Sequence, residues 1–179
     1  MLRTWQVVSI LCGALLLAGC NHSNPPSRFA VVRADRQVVG PSTFPVAVDP
    51  SRVGSYSPDA KSGAGYFYDD VLEYRVWFHP ENGGEPLNGK SDYFVAFAQY
   101  EAAQALSKKA PGAEEPCVLV RQYEWVDEPE RGHFVPKKVE RITEWQVKWL
   151  PDSKRTTESI REFMKHPKES GPADSGEDD

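Results

Sequence analysis

The chain has 179 residues, 40% of them hydrophobic and 26% charged, with a net charge of −5. That length holds one domain with extensions, and the mildly acidic balance argues against a nucleic-acid binder, which needs a basic face. Three cysteines are too few for a disulfide framework.

The first segment carries one cation, Arg3, then an apolar run from Val7 to Leu17, then Ala18, Gly19 and Cys20. A charge, an apolar stretch and small residues at a cleavage point are the parts of a secretory signal. The run is shorter than the ~20 residues that span a bilayer. Gly13 and Gly19 also interrupt any soluble helix. Leu17-Ala18-Gly19-Cys20 resembles the lipobox of bacterial lipoproteins. The resemblance implies that residues 1–19 are a signal peptide and that Cys20, the first mature residue, carries a diacylglyceryl thioether. Each buried acyl methylene contributes about 0.8 kcal/mol, so a multiply acylated chain stays on its membrane. Asn21 follows the cysteine, in place of the aspartate that marks inner-membrane retention in enteric bacteria. The implied address is the cell membrane, on the periplasmic face of the outer membrane in a diderm host.

Residues 20–65 carry Pro25, Pro26, Pro41, Pro45, Pro50 and Pro58 among scattered serines and glycines. They read mostly as a tether, reaching on the order of 35–40 Å root-mean-square. Ala30-Val31-Val32 and Val46-Ala47-Val48 are short apolar pieces that can add a strand or bind a partner. Residues 66–166 form the domain. Val71–Phe78 alternates, with Leu72, Tyr74, Val76 and Phe78 on one face of a strand. Turn residues Gly83, Gly84 and Gly89 precede a second strand over Tyr93–Ala98. Tyr100–Lys109 is predicted helical, with Ala102, Ala103 and Leu106 on one side and Gly112 beyond its end. Cys117–Val126 returns to strand, residues 127–132 turn, and Phe134–Leu150 forms a return strand rich in aromatic and β-branched residues. Glu158–Lys165 closes the domain as a helix with Ile160, Phe163 and Met164 inward. The expected fold is α+β, an antiparallel sheet in ββαββα order with helices on one face. Residues 167–179 are an acidic tail without apolar periodicity.

Gly84-Glu85-Pro86-Leu87-Asn88-Gly89-Lys90-Ser91 matches the phosphate-loop pattern G-x-x-x-x-G-K-S/T letter for letter. A phosphate loop must open a helix whose N-terminus faces the anion. Here Tyr93-Phe94-Val95 follows, which is strand material, so the segment reads as a hairpin loop. His79, Glu81 and Asp92 can converge at one end of the first hairpin, with His133 approaching from the next. Those residue types can make an acid–base pair, but no ligand spacing supports a metal. Cys117 is the only thiol left once Cys12 departs with the signal and Cys20 is acylated. In its apolar strand it reads as a small buried hydrophobe with an inert thiol. Trp77, Trp125, Trp145 and Trp149 are core if they face inward and a sticky platform if they face outward. Glu140, Glu144, Gln146 and Lys148 occupy the alternate, solvated positions.

Residues 68–150, with Tyr68-Asp69-Asp70-Val71-Leu72, His79-Pro80-Glu81 and Glu144-Trp145-Gln146-Val147, are faintly similar to short bacterial proteins labelled acetyltransferase-like. That label implies an acyl-coenzyme A loop with a leading Arg or Gln between a strand and a helix. Lys61-Ser62-Gly63-Ala64-Gly65 lacks that residue and precedes a strand, so no cofactor is expected. The reading is a lipid-anchored envelope protein with a non-catalytic domain that binds a protein or cell-wall partner. The alternative is an envelope hydrolase or transferase using His79, Glu81 and Asp92.

Overall fold

The computed structural model describes residues 30–33, 40–57, 65–87, 89 and 92–167. The signal segment, Cys20 and the tail from Lys168 onward lie outside the described residues. The fold is α+β. In chain order it comprises β1 (Ala30–Arg33), β2 (Asp70–Phe78), β3 (Tyr93–Phe97), α1 (Tyr100–Ser107), β4 (Cys117–Gln122), β5 (Trp125–Glu130), β6 (His133–Lys137), β7 (Arg141–Gln146) and α2 (Ser159–Lys165). Strands β3, β2, β4 and β7 form an antiparallel sheet, and β1 joins its edge parallel to β3. Strands β5 and β6 form a separate hairpin. Among the described residues, no helix is long and apolar enough to cross a membrane.

The expected ββαββα order holds, with each of the last two strands divided in two. Residues 123–124 and 138–140 leave the sheet, and the Trp125 indole N–H donates to the Val139 carbonyl at 3.0 Å, pinning the two crossings together. Val126 is thereby buried, and Phe134 meets Phe163 of α2 at 5.3 Å. The expected turn at 127–132 narrows to Arg131 and Gly132, because pairing continues to Glu130 and His133. Gly132 takes φ +79°, which glycine adopts without cost.

Side-chain alternation gives the five-stranded sheet two different faces. On one, Tyr74, Val76, Phe78, Tyr93, Phe97, Val118, Val120 and Trp145 pack with the buried Ala103 of α1. The register of β2 against β4 shifts between Val71 and Glu73. That irregularity turns Leu72 to the opposite side, against Tyr56 and Leu119, so it does not share a face with Tyr74 as its spacing suggested.

The second face is covered by an arm, residues 40–57, that composition had suggested was mostly tether. Ala47 and Val53 pack on Phe94 and Ala96, and Tyr56 packs on Leu72 and Leu119. Prolines hold such a chain extended without preventing it from docking. The Ala47 amide donates to the Ala98 carbonyl and the Val48 amide to the Val71 carbonyl, both at 2.8 Å. The Tyr74 hydroxyl donates to the Pro45 carbonyl at 2.5 Å. Glu101 of α1 accepts from the Ser42 hydroxyl at 2.8 Å and the Thr43 amide at 2.5 Å.

A buried ion cluster ties the arm to the sheet. Glu73 and Arg75, two residues apart on the arm side of β2, are both fully buried. Arg75 Nε donates to Glu73 Oε1 at 2.7 Å, and Nη1 donates to Glu144 Oε2 at 2.9 Å. Nη2 reaches the Ser57 carbonyl at 3.2 Å, and the guanidinium lies 4.3 Å above the Phe94 ring. The other Glu73 oxygen accepts from the Gly54 amide at 2.6 Å. Burial pushes the Glu73 carboxyl up from its ordinary range, and Arg75 beside it pulls the other way. Glu144, expected among solvated positions, instead turns inward and also accepts from the Trp77 indole at 3.1 Å.

Removing one member of a buried pair leaves the other charge uncompensated, at a cost of about 3–5 kcal/mol. Arg75→Ala is therefore expected to lose about that much stability in urea unfolding. Glu73→Gln combined with Arg75→Met keeps an acceptor for the Gly54 amide and leaves no fully buried charge on β2, with Glu144 still held by the Trp77 indole. This pair should recover most of the loss, and a double variant no better than Arg75→Ala would contradict the clamp.

Candidate functional site

His79 ends β2's run, and its ring stacks on Trp77 at 6.3 Å with the planes 8° apart. Asp92 stands just before β3 and is brought alongside by the antiparallel pairing of Phe78 with Tyr93. The His79 Nδ1 to Asp92 Oδ1 distance is 2.7 Å. Glu114, which no sequence spacing singled out, occupies the other side, 3.1 Å from Nε2. It arrives there because Phe78 bridges to Ala113 and the Glu114 amide donates to the Trp77 carbonyl at 2.9 Å. Gly112 permits this crossing, since a Cβ at its φ of +68° would drive into the backbone of Gly83 and Gly84. Glu81 lies exposed on the short 3-10 turn Pro80–Asn82, and His133 is exposed at the start of β6. The expected trio thus resolves into His79 and Asp92, with Glu114 in place of Glu81.

The hydrogen bond that Asp92 accepts from the His79 ring raises the His79 pKa above 6.5, and the Glu114 charge adds to it. A carboxylate thus faces each ring nitrogen, Asp92 at Nδ1 and Glu114 at Nε2. A general base needs one nitrogen free to accept a proton from a nucleophile or water, and here neither is. The chemistry this geometry performs is cross-linking: it fastens the 79–92 loop to the entry of β4.

Cys117 sits at the start of β4 with its thiol donating to the Arg75 carbonyl at 3.6 Å. Burial pushes its pKa well above the ordinary thiol value, and the Glu144 charge pushes the same way. A thiolate nucleophile is disfavoured there. The segment matching the phosphate-loop pattern leads into β3, not a helix. Asn88, Lys90 and Ser91 of that segment lie outside the described residues, as do residues 61–64. Among the described residues, no group of three or more His, Cys, Asp or Glu side chains could hold a metal ion. Of the four tryptophans, Trp145 is core and Trp77, Trp125 and Trp149 are half-buried. Trp125 lies under Arg141, at 3.9 Å, and Trp149 packs on Tyr66 at 4.7 Å. They form no exposed platform.

Among the described residues, a cleft of about 700 Å³ lies between α1, the entry to β4 and the chain leaving β7. Phe44 of the arm and Tyr100 of α1 form one wall, their rings edge to face at 4.8 Å. Gln104 and Gln146 add amides, and Lys108 and Lys148 stand at the rim. The Gln104 amide donates to the Tyr100 hydroxyl at 2.7 Å. This volume falls within the range of small-ligand sites. Sequence reading did not anticipate the cleft, because its walls come from the arm, a helix and two strand ends. The chain matches no family model, no curated protein and no solved structure.

A histidine whose folded pKa is raised adds stability that is complete below its unfolded value and is lost as pH climbs through the folded one. The difference in urea midpoint between wild type and His79→Gln should therefore be larger near about pH 6 than near about pH 9. A difference that is constant or grows with pH would contradict the imidazolium held between Asp92 and Glu114.

Proposed function

We propose that this chain is a membrane-anchored envelope lipoprotein whose α+β domain binds a protein or cell-wall partner without catalysing a reaction on it. The observation that carries the reading is the lipobox Leu17-Ala18-Gly19-Cys20, followed after Asn21–Phe29 by the first strand at Ala30. Acylated Cys20 is the membrane anchor. Ten Cα steps separate it from Ala30, so the domain edge stays within about 35 Å of the bilayer even at full extension. That reach is short and suits a partner at the membrane face or in the adjoining wall.

The chemistry of the domain supports binding over turnover. Both His79 nitrogens are engaged by carboxylates, and the Cys117 thiol is held protonated. The envelope is also poor in the activated acyl and phosphoryl donors that a transferase would need. The His79–Asp92 contact is the one observation favouring an envelope hydrolase, and Glu114 on the remaining nitrogen works against it.

Two comparisons test the reading together. Metabolic labelling with a fatty-acid analogue should mark the wild type and not Cys20→Ala, and the variant should leave the membrane fraction. Cross-linking in cells should capture a discrete partner with the wild type, fading in Cys20→Ala and persisting in His79→Ala. Identical fractionation of wild type and Cys20→Ala would remove the anchor. An activity abolished by His79→Ala with the fold intact would replace the binding role with an enzymatic one.

A further inference from the structure

The arginines of this domain follow a pattern that one of them breaks. Arg75 is held by Glu73 and Glu144, Arg121 by Asp70 and Glu140, Arg155 by Asp69 and Glu124, and Arg161 by Glu158 and Glu162. Arg52 and Arg131 stand exposed to water. Arg141 is half-buried at the start of β7, yet among the described residues no carboxylate lies within ion-pair distance of it. The Asp127 carboxylate pairs with Lys137 at 3.7 Å, and Glu140, next to Arg141 in the chain, turns to Arg121 at 3.5 Å. Burial pushes the Arg141 pKa down to about 10, and the Asp127 charge offsets only part of that shift. A guanidinium withdrawn from water without a counter-charge is costly.

The geometry leaves one edge of Arg141 ready for that counter-charge. Nε and Nη2 both donate to the Gln122 side-chain oxygen, at 2.9 and 2.7 Å. Gln122 is buried and fixed in turn, because its amide donates to the Phe67 carbonyl at 2.5 Å. The guanidinium carbon sits 3.9 Å from the centre of the Trp125 ring, whose N–H is tied to Val139. A guanidinium has five N–H donors in one plane. Two of them go to Gln122. Nη1 and the second hydrogen of Nη2 then form an end-on fork, the geometry that takes both oxygens of a carboxylate. Nη1 makes no hydrogen bond among the described residues and is not closed off from solvent.

Acids that can fill the fork are near it in the chain. Residues 168–179 hold Glu169, Asp174, Glu177, Asp178 and Asp179 against a single cation, Lys168. They follow α2, which is docked close to the Arg141 site. Phe67, whose carbonyl fixes Gln122, meets Phe163 of α2 ring to ring at 6.0 Å. Twelve residues span up to about 40 Å when extended, more than the few side-chain contacts between Phe163 and Arg141 require. Tethering at that range supplies an effective concentration on the order of millimolar, which populates a contact that is weak between separate molecules.

We propose that the acidic segment 168–179 docks on Arg141 of the same chain, one of its carboxylates bridging Nη1 and Nη2. The contact does not rest on the envelope reading. It closes the fork to carboxylates of other molecules until the segment is displaced.

Proton–nitrogen NMR of the whole purified chain tests this at the Arg141 Nε–H and the Trp125 indole N–H. Amidating the segment, with Glu169→Gln, Asp174→Asn, Glu177→Gln, Asp178→Asn and Asp179→Asn together, should shift both resonances. Raising salt from about 0.05 to about 0.5 M should shift them the same way in the wild type, since screening weakens an exposed ion pair. The amidated variant should barely respond to salt. Arg141→Lys keeps the charge and removes the fork, so it should move the backbone amides of residues 168–179 toward their high-salt positions. Unmoved Arg141 and Trp125 resonances in the amidated variant would overturn the proposal. So would shifts beside the exposed Lys108 as large as those at Arg141, which mark a diffuse charge effect. The same shifts produced by Asp35→Asn or Asp59→Asn would assign the fork to another part of the chain and overturn it as well.

Discussion

The guanidinium of Arg75 joins three parts of the chain that lie far apart in sequence. It pairs with Glu73 on its own strand, with Glu144 on β7, and with the Ser57 carbonyl of the arm, while Phe94 of β3 lies beneath it. A buried guanidinium is tolerated only when its donors are satisfied and its charge is compensated. Satisfying Arg75 therefore dictates that the arm must dock, that β7 must turn Glu144 inward, and that the face of β2 opposite α1 must be closed. The arrangement contributes specificity of arrangement more than net stability, since charge burial offsets most of the attraction.

Docking the arm changes what the rest of the molecule can do. It converts an apparently one-sided sheet into a three-layer structure, with α1 over Tyr74 and Val76 and the arm over Phe94 and Ala96. It brings Phe44 beside Tyr100, completing a wall of the cleft. At the far end of β2, His79 does a similar job on a smaller scale. By holding Asp92 and Glu114 it fixes the loop that leads into β4, and with it the acidic side of the same cleft. Two ion clusters, one buried and one at the surface, thus hold the elements that border the concavity.

Local patterns carried much of this. The alternation of Tyr74, Val76 and Phe78 marked β2, the alanine-rich Tyr100–Ser107 stretch marked α1, and Phe163 marked the inward side of α2. The α+β class followed from their order. What failed locally was anything decided by a distant partner. Glu73, Arg75 and Trp77 alternate with apolar residues as a solvated face would, and nothing in β2 announces that residues 42–57 cover it. Glu144 looked solvated for the same reason, because its partner lies on β2. Leu72 was displaced by a bulge that the apolar run Val71-Leu72 does not reveal. Glu114 joined His79 only through the register of β2 against β4, which one chain's spacing cannot supply.

The central claim is that the arm is part of the folded domain, clamped there by Glu73 and Arg75. Native-state hydrogen exchange on the intact protein measures this directly at the amides of Ala47, Val48 and Gly54. The account predicts that all three are protected and exchange together with the amides of the central strands β2 and β4. Exchange of those arm amides at free-peptide rates, with β2 and β4 still protected, would contradict it.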